Sequence, residues 1–183
     1  MFLWVVEHRV APLDWLFVAL SAVGFAGLLW IALGPLLAIL ARRPLVLTSA
    51  LTAACVWSAD LTTLLIKSLV DRPRPFRDLP EADPLLRGDI GSSFPSGHAA
   101  TSFAGALVLA YLVRRWLVAL VALAALVAAS RVYVGVHYPL DVLGGAALGA
   151  LYAGAFALLI QTLRARRRTS GAPLRSGAGP PAG

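Results

Sequence analysis

Long runs of apolar residues, broken only at charged or helix-breaking positions, constrain the fold of this chain more than any other feature. A helix needs about 20 apolar residues to cross the hydrocarbon core of a bilayer. Residues 15–41, 45–70, 116–136 and 140–163 meet that length. Residues 98–113 form a shorter run, but Arg114 and Arg115 follow it, and long basic side chains can snorkel to the membrane surface. The runs therefore predict five membrane spans.

The composition supports an all-α, polytopic transmembrane helix bundle. Apolar residues make up 59% of the chain and charged residues only 14%, whereas soluble domains carry about 25% charged residues. Residues 2–10 are too short to cross and mix Trp4 with Glu7 and Arg9, which predicts a short interfacial helix. We expect one membrane domain over residues 1–168. The Gly-, Pro-, Ser- and Ala-rich segment 169–183 is predicted to be a disordered cytoplasmic tail.

The basic residues are distributed unequally between the two predicted sides of the membrane. One side carries arginines without any acidic residue: Arg42, Arg43, Arg114, Arg115, Arg164, Arg166, Arg167, Arg168 and Arg175. The other carries Arg9 and the long loop 71–95, where basic and acidic residues are mixed. The positive-inside rule makes the first side cytoplasmic, so the loop faces the periplasm or cell exterior of a plasma (inner) membrane. The formal charge of +7 is scattered between apolar runs, a pattern that does not predict nucleic-acid binding.

Polar residues of chemical interest lie at the ends of the predicted spans, where charges are less costly than at membrane depth. They occupy four places, which alternating spans bring to the outer face: Lys67 with Arg74, Ser96–Gly97–His98, Ser130–Arg131, and His137 with Asp141. The sequence therefore predicts one polar pocket at the outer end of the bundle.

The contents of this pocket favour phosphoryl transfer. Three cations suit the oxygens of a phosphate group, and a helix that begins at Ser96 and Gly97 offers backbone N–H groups to an anion. Two histidines can serve as nucleophile and as acid for the leaving oxygen. Asp141 follows His137 by four residues and can orient its ring. No compact His and carboxylate motif of a metal site is present, so we expect no metal or other cofactor.

Three stretches resemble the signatures of the type 2 phosphatidic acid phosphatase (PAP2) superfamily. The stretch from Lys67 to Pro75 resembles Lys-x6-Arg-Pro, and residues 95–98 resemble Pro-Ser-Gly-His. Residues 130–141 resemble Ser-Arg-x5-His-x3-Asp. The three occur in order and without a mismatch between residues 67 and 141. Together they are highly specific, whereas Pro-Ser-Gly-His alone would be a weak signal.

The resemblance implies a metal-independent membrane phosphatase, similar to undecaprenyl-diphosphatases, that acts through a phosphohistidine. It implies that His137 is the nucleophile, that Asp141 is its partner and that His98 protonates the leaving oxygen. The phosphate would be held by Lys67, Arg74, Arg131, Ser96 and Gly97. Membrane members of the family usually have six spans, so six spans stay an alternative to five.

Several alternatives remain open at this stage. Undecaprenyl or another polyprenyl diphosphate is the preferred substrate, with phosphatidylglycerophosphate and phosphatidic acid as rivals. Arg72 either contacts a second phosphate or is a solvated loop charge. A transporter that binds an anion or lipid without turnover, a metal-dependent hydrolase and a soluble haloperoxidase are the competing classes. The expected partners are the bilayer and a lipid phosphate or pyrophosphate, and no obligate protein partner is evident.

Three further features, at four positions, have structural interpretations. Asp60 shares a helix face with Thr63 and Lys67, and we interpret it as paired inside the bundle. Gly145 and Gly149 form a small-residue motif, which favours tight internal packing over dimerisation. Cys55 is the only cysteine and is predicted to be a buried small side chain.

Overall fold

The computed structural model describes residues 2–79, 81–86 and 91–170, and this part of the chain is helical without strands. In chain order, its eight α-helices are α1 (Phe2–Glu7), α2 (Ala11–Val23), α3 (Leu28–Leu40), α4 (Leu45–Val70), α5 (Pro75–Asp78), α6 (Gly97–Leu112), α7 (Leu117–Tyr133) and α8 (Pro139–Ser170). Single turns of 3₁₀ helix at Phe25–Gly27 and Arg114–Trp116 precede α3 and α7. The predicted all-α bundle is confirmed.

The long helices lie where the spans were predicted, but the number of spans depends on how the shorter helices are counted. Helices α4, α7 and α8 are long and apolar enough to cross a membrane, and α2 with α3 makes a fourth span only if the bent pair is counted as one. Helix α6 has 16 residues, a length of about 24 Å at 1.5 Å per residue. That is less than the hydrocarbon thickness of about 30 Å. The predicted count of five is therefore approximate.

The first predicted span, residues 15–41, is two helices instead of one. The axes of the two parts are bent by 52° at a short break. At this break Ala26 (φ 48°) and Gly27 (φ 70°) adopt left-handed backbone conformations, which cannot continue a right-handed helix. A side chain at Gly27 would also collide with Val56 of α4. The close approach of α4 and the left-handed turn together explain why the helix breaks here.

Helix α6 is the centre of the bundle and packs against α4, α7 and α8. Its buried positions are mostly small residues, among them Ala99, Ala104, Gly105 and Ala106, and these let neighbouring helices approach closely. The indole of Trp30 is fully buried and packs over Gly105, where a Cβ would lie 2.5 Å from the Trp30 side chain. Because α6 is surrounded by protein, it does not need the full length of a lipid-facing span.

The glycine motif of α8 packs against α6 within the same chain, as predicted. A Cβ at Gly145 would collide with the carbonyl oxygen of Ser96. At Gly149 it would collide with the carbonyl of Ala100 and lie 2.8 Å from the backbone nitrogen of Ala104. The two glycines therefore determine how closely α8 approaches the N-terminal half of α6. Cys55 is buried in the same region, against Ala104, as predicted.

The two ends of the bundle differ in character. Helix α4 runs toward the end that carries the predicted pocket, α6 starts there, α7 returns there and α8 leaves it. Short helix α1 packs at this end too, with Phe2 and Val6 buried against Ala82 of the loop. The segment predicted to be an interfacial helix is thus helical, and it packs against the loop that follows α5. Helix α8 continues to Ser170, and residues 171–183 of the predicted tail lie outside the described residues.

We predict that Gly149→Ala destabilises the fold, since the added methyl group meets backbone atoms of α6 that cannot move independently. Overpacking of this kind costs about 1–3 kcal/mol, measurable as a lower midpoint of thermal unfolding in detergent. The matched control is Gly154→Ala on the same helix, where a Cβ has no neighbour within 4 Å. An equal effect of the two substitutions would contradict the close contact between α6 and α8.

Candidate active site

The structure brings the four predicted groups of polar residues together at one end of the bundle. Arg74, in the loop after α4, places its Nη1 atom 3.4 Å from Nε2 of His137, in the turn between α7 and α8. The backbone N–H of Ser96, at the start of α6, donates to the carbonyl of Asp141 at 2.9 Å. The N–H of His137 donates to the carbonyl of Arg131, near the end of α7, at 3.2 Å. The contacts from Arg74 to His137 and from Ser96 to Asp141 connect residues that are far apart in sequence.

His137 and Asp141 form a buried pair. The Nδ1 atom of His137 lies 3.6 Å from Oδ2 of Asp141, a close electrostatic contact slightly longer than a hydrogen bond. Oδ2 also accepts the backbone N–H of Tyr138 at 2.9 Å, which holds the carboxylate in place. Pro139 begins α8, and proline is well suited to the first position of a helix. The turn before it places the histidine and the carboxylate side by side.

Burial lowers the pKa of His137 from 6.5 to about 4. The side-chain contact with Asp141 opposes this shift, whereas the charges of three neighbouring cations reinforce it: Arg131, Arg74 and Lys67. The imidazole is therefore neutral near pH 7. With the proton on Nδ1, toward Asp141, the Nε2 lone pair would face the cations, which is the arrangement that a nucleophilic histidine requires.

The cations are held by backbone carbonyls and a hydroxyl group. Lys67 donates from Nζ to the carbonyl of Ser92 at 2.6 Å. Arg74 is only 4% exposed and donates to the carbonyls of Gly91 at 3.2 Å and Val136 at 3.1 Å. Arg131 is 3% exposed and donates from Nη1 to the hydroxyl of Ser21. These side chains are thus ordered in advance around the space beside His137.

The start of α6 has the features of an anion site. Ser96 is the N-cap residue, and its hydroxyl accepts the N–H of Ala99 at 3.5 Å. The first N–H groups of a helix have no acceptor within the helix and carry its positive dipole end. A Cβ at Gly97 would meet only ordinary contacts, with Thr63 at 3.6 Å and Asp60 at 3.8 Å. A side chain would therefore fit at this position without a collision, so packing does not require glycine here.

His98 is held by a residue that the sequence analysis did not identify. Its Nε2 atom lies 3.0 Å from the carbonyl oxygen of Ser21 in α2, so that Nε2 is the donor. Ser21 is 1% exposed and also accepts the hydrogen bond from Arg131. A single serine of the bent helix pair thus contacts both residues. The one sequence signal was a polar residue within an apolar run, which is too common to identify a site.

Arg72 and Asp60 have defined places beside the pocket. Arg72 forms a salt bridge from Nη1 to Oδ1 of Asp141 at 2.7 Å, and its side chain is 34% exposed. Asp60 is half-buried, faces Gly97 and is attracted by the charge of Lys67. The pairing predicted for Asp60 is thus supported by its electrostatic interaction with Lys67. Within residues 2–79, 81–86 and 91–170, no three His, Cys, Asp or Glu side chains are grouped as metal ligands.

The sequence matches the profile of the PAP2 superfamily over residues 44–165. An undecaprenyl-diphosphatase of Sulfolobus acidocaldarius is 35% identical over 147 residues, which cover 78% of this chain and 68% of that protein. The bacitracin transport permease protein BcrC of Bacillus licheniformis is 39% identical over 99 residues, 52% of this chain and 47% of the relative. A lipid A 1-phosphatase of Rhizobium johnstonii is 39% identical over 51% of this chain and 40% of its own length. The chain thus spans about half of the length of the last two.

Two solved structures have a similar fold. A transmembrane PAP2-type phosphatidylglycerolphosphate phosphatase from Bacillus subtilis superposes with a TM-score of 0.72 and 25% identity, covering 87% of this chain and 82% of that one. LpxE of Aquifex aeolicus superposes with a TM-score of 0.72 and 27% identity, covering 85% and 91%. Together with the apolar helices of spanning length, this similarity identifies the chain as an integral membrane protein.

We predict that the His137 ring titrates near pH 4, well below the ordinary 6.5. As the pH falls, the unfolded chain takes up this proton first. The contribution of His137 to the free energy of unfolding is therefore complete above about pH 6.5 and is lost as the pH falls through about 4. The measurement is the ring ¹³C chemical shift of the detergent-solubilised protein, with His8→Gln and His98→Gln assigning the three histidine signals. A midpoint at or above 6.5 would contradict the burial of the ring.

Proposed function

This chain belongs to the PAP2 superfamily, and from that premise we propose that it is an integral membrane phosphatase acting on a phosphorylated lipid. The observation that carries the proposal is the setting of His137, with Nδ1 toward Asp141 at 3.6 Å and Nε2 beside Arg74 at 3.4 Å. An anion-binding protein needs the cations alone. A neutral, oriented imidazole beside them supplies a nucleophile as well.

We assign the first chemical step to His137. Its Nε2 lone pair attacks phosphorus, the bond from phosphorus to the leaving oxygen breaks, and His98 gives that oxygen a proton. Lys67, Arg74 and Arg131, with the N–H groups that begin at Ser96 and Gly97, stabilise the charge on the remaining phosphoryl oxygens. Asp141 stabilises the positive charge that develops on the His137 ring.

The second step regenerates the enzyme. Water attacks the phosphohistidine while His98, now without its proton, accepts a proton from the water. The bond from phosphorus to His137 breaks, and inorganic phosphate leaves. His98 thus acts first as an acid and then as a base, and each histidine returns to its starting protonation state. No step in this sequence requires a metal or another cofactor.

For the substrate we propose undecaprenyl or another polyprenyl diphosphate. Support comes from the undecaprenyl-diphosphatase of Sulfolobus acidocaldarius, whose match extends over 78% of this chain, and from the putative undecaprenyl-diphosphatase YbjG of Escherichia coli, 47% identical over 60 residues. Phosphatidylglycerophosphate is the first alternative, since the phosphatidylglycerolphosphate phosphatase of Bacillus subtilis has a similar fold. Phosphatidic acid is the second. Contact of Arg72 with a second phosphate, the alternative that the sequence leaves open, would require its guanidinium to leave or extend beyond its salt bridge with Asp141.

We further propose that the pocket faces the periplasm or cell exterior. Arginines occupy the opposite end of the bundle: Arg42 and Arg43 before α4, Arg114 and Arg115 before α7, and Arg164 near the end of α8. An excess of arginine in the short loops of one side is typical of the cytoplasmic face. The active site would then receive lipid phosphates from the outer leaflet.

We predict that His137→Ala lowers kcat on a polyprenyl diphosphate by at least about a thousandfold, because the attacking atom is removed while the phosphate-binding cations remain. The measurement is phosphate release by the purified protein in detergent. The matched control is His8→Ala, which alters the exposed histidine at the end of α1 and should leave the rate unchanged. The wild-type protein, quenched during turnover, should carry an acid-labile phosphate on His137 by mass spectrometry.

The same assay separates the rival proposals. Turnover of polyprenyl diphosphate, phosphatidylglycerophosphate and phosphatidic acid in parallel ranks the substrates by kcat/KM. Binding of all three lipids without phosphate release would instead indicate a lipid or anion transporter. Full activity of His137→Ala would rule out the phosphohistidine mechanism.

A further inference from the structure

The buried carboxylate of Asp141 is held on both of its oxygens. Oδ1 accepts from Nη1 of Arg72 at 2.7 Å, and Oδ2 accepts from the backbone N–H of Tyr138 at 2.9 Å. The carboxylate is fully buried, and a buried charge is costly unless it is paired and hydrogen-bonded. Arg72 is the salt-bridge partner that lies within hydrogen-bond distance of this carboxylate.

Arg72 is itself fixed in position. Its backbone N–H donates to the hydroxyl of Ser92 at 3.0 Å, and its carbonyl accepts from the N–H of Ser93 at 2.8 Å. The guanidinium carbon lies 4.5 Å from the centre of the Tyr138 ring, a distance at which a cation is attracted to an aromatic face. The loop backbone and the tyrosine together direct the guanidinium at Asp141.

We infer that Arg72 is a positioning residue for the pair formed by His137 and Asp141, an inference that rests on the proposed function. Arg72 occupies Oδ1, so that Oδ2 is the oxygen that faces Nδ1 of His137. Its positive charge also keeps Asp141 from taking the Nδ1 proton when the ring becomes cationic during attack. The carboxylate therefore orients and stabilises the nucleophile without becoming protonated.

We predict that Arg72→Gln lowers kcat by about tenfold to a hundredfold, by analogy with the loss seen when the hydrogen-bond partner of a metal-binding side chain is removed. KM should change little, because the phosphate-binding cations remain. The loss should be similar on a polyprenyl diphosphate and on the corresponding monophosphate, and Arg72→Lys should recover part of it. The matched control is Arg77→Gln, an exposed arginine of α5, which should behave as wild type.

A second measurement does not depend on turnover. Asp141 acts on the pKa of His137 through its side-chain contact, and Arg131, Arg74 and Lys67 act through their charge. Loss of the nearby Arg72 charge should raise the pKa of His137, seen as a higher midpoint of the ring ¹³C titration in Arg72→Gln. Structural damage that exposed the ring would also raise this pKa, so the comparison is with Arg72→Lys, which keeps the positive charge and should keep the midpoint near the wild-type value.

Three outcomes would overturn the inference: an unchanged kcat, an unchanged midpoint, or a loss confined to the diphosphate. The last would assign Arg72 to a second phosphate group. Failure of this inference is distinguishable from failure of the proposed function. If only the role of Arg72 is wrong, Arg72→Gln is fully active and His137→Ala is inactive. If the proposed function is wrong, His137→Ala is itself active.

A different observation concerns the opposite end of the bundle. There a cavity of about 270 Å³ lies between the start of α4 and the ends of α6 and α8. Its walls include Leu47, Leu51 and Ile160, and Arg43 and Arg164 also line it. Leu47 and Leu51, both on α4, are four positions apart, so the cavity follows about 6 Å of this helix at 1.5 Å per residue.

The chemistry of this cavity matches an anionic phospholipid. Leu47 and Leu163, two of its lining residues, are 57% and 50% exposed, so the apolar walls open toward the surrounding bilayer. The two guanidinium groups complement a lipid phosphate, and basic pockets between spans are typical sites for such headgroups. We propose that this cavity binds the phosphate and upper acyl chain of an anionic bilayer lipid.

The test is thermal unfolding in a zwitterionic detergent with added phosphatidylglycerol. At a hundredfold excess over Kd we expect a rise in Tm of about 5–10 °C for the wild type and a much smaller rise for Arg43→Gln/Arg164→Gln. Both arginines are exposed, so the substitutions leave the packing intact. The matched control is Arg115→Gln, whose guanidinium lies over Trp116 and which should retain the full rise.

Two further arms identify the source of any effect. Phosphatidylcholine and inorganic phosphate should each give little or no rise. An equal rise with phosphatidylcholine, with phosphate alone, or in the double variant would overturn the proposal. The first would indicate a general lipid effect, the second a free-anion site and the third binding elsewhere on the protein.

Discussion

The cost of removing charge from water is the constraint on which the rest of this structure depends. Arg74, Arg131 and Asp141 are buried at one end of a bundle whose other interior residues are apolar or uncharged, mostly serine and threonine where they are polar. Each ion is tolerated because it has partners. Backbone carbonyls and a hydroxyl group accept hydrogen bonds from the arginines. The carboxylate is held by a salt bridge with Arg72 and by a hydrogen bond from the backbone N–H of Tyr138. The helices must therefore end where these partners can be supplied.

Helix α6 meets this requirement through small residues and through its position. Its alanines and glycines let α8 and Trp30 approach closely, so its N-terminus lies at the centre of the polar end. The helix dipole and the first N–H groups then add to the field of the three cations. The same packing buries His137 and lowers its pKa, which keeps the ring neutral in an environment rich in positive charge.

The helices and their polar ends could be predicted because both follow from local rules. Helix α4 occupies the predicted residues 45–70, since apolar length and flanking breakers are local properties. The four groups of polar residues lie together, as expected, because each span places one of its two ends on the same side of the membrane when successive spans alternate in direction. The bend before α3 was missed, because it depends on a left-handed turn at Ala26 and on the approach of α4 at Gly27. Nothing in the apolar run reveals that approach.

By itself, the sequence determined that this chain is a helical membrane protein and which residues collect at one end of it. Long apolar runs must cross the bilayer or be buried in protein, and charged side chains must avoid the hydrocarbon core of the bilayer. Only the tertiary structure decided which of these residues act on each other. Ser21 contacts both His98 and Arg131, and Arg72 forms a salt bridge with Asp141. Those contacts join segments that are distant in sequence. The close packing of helices around α6 produces them, and the order of residues along the chain does not encode them locally.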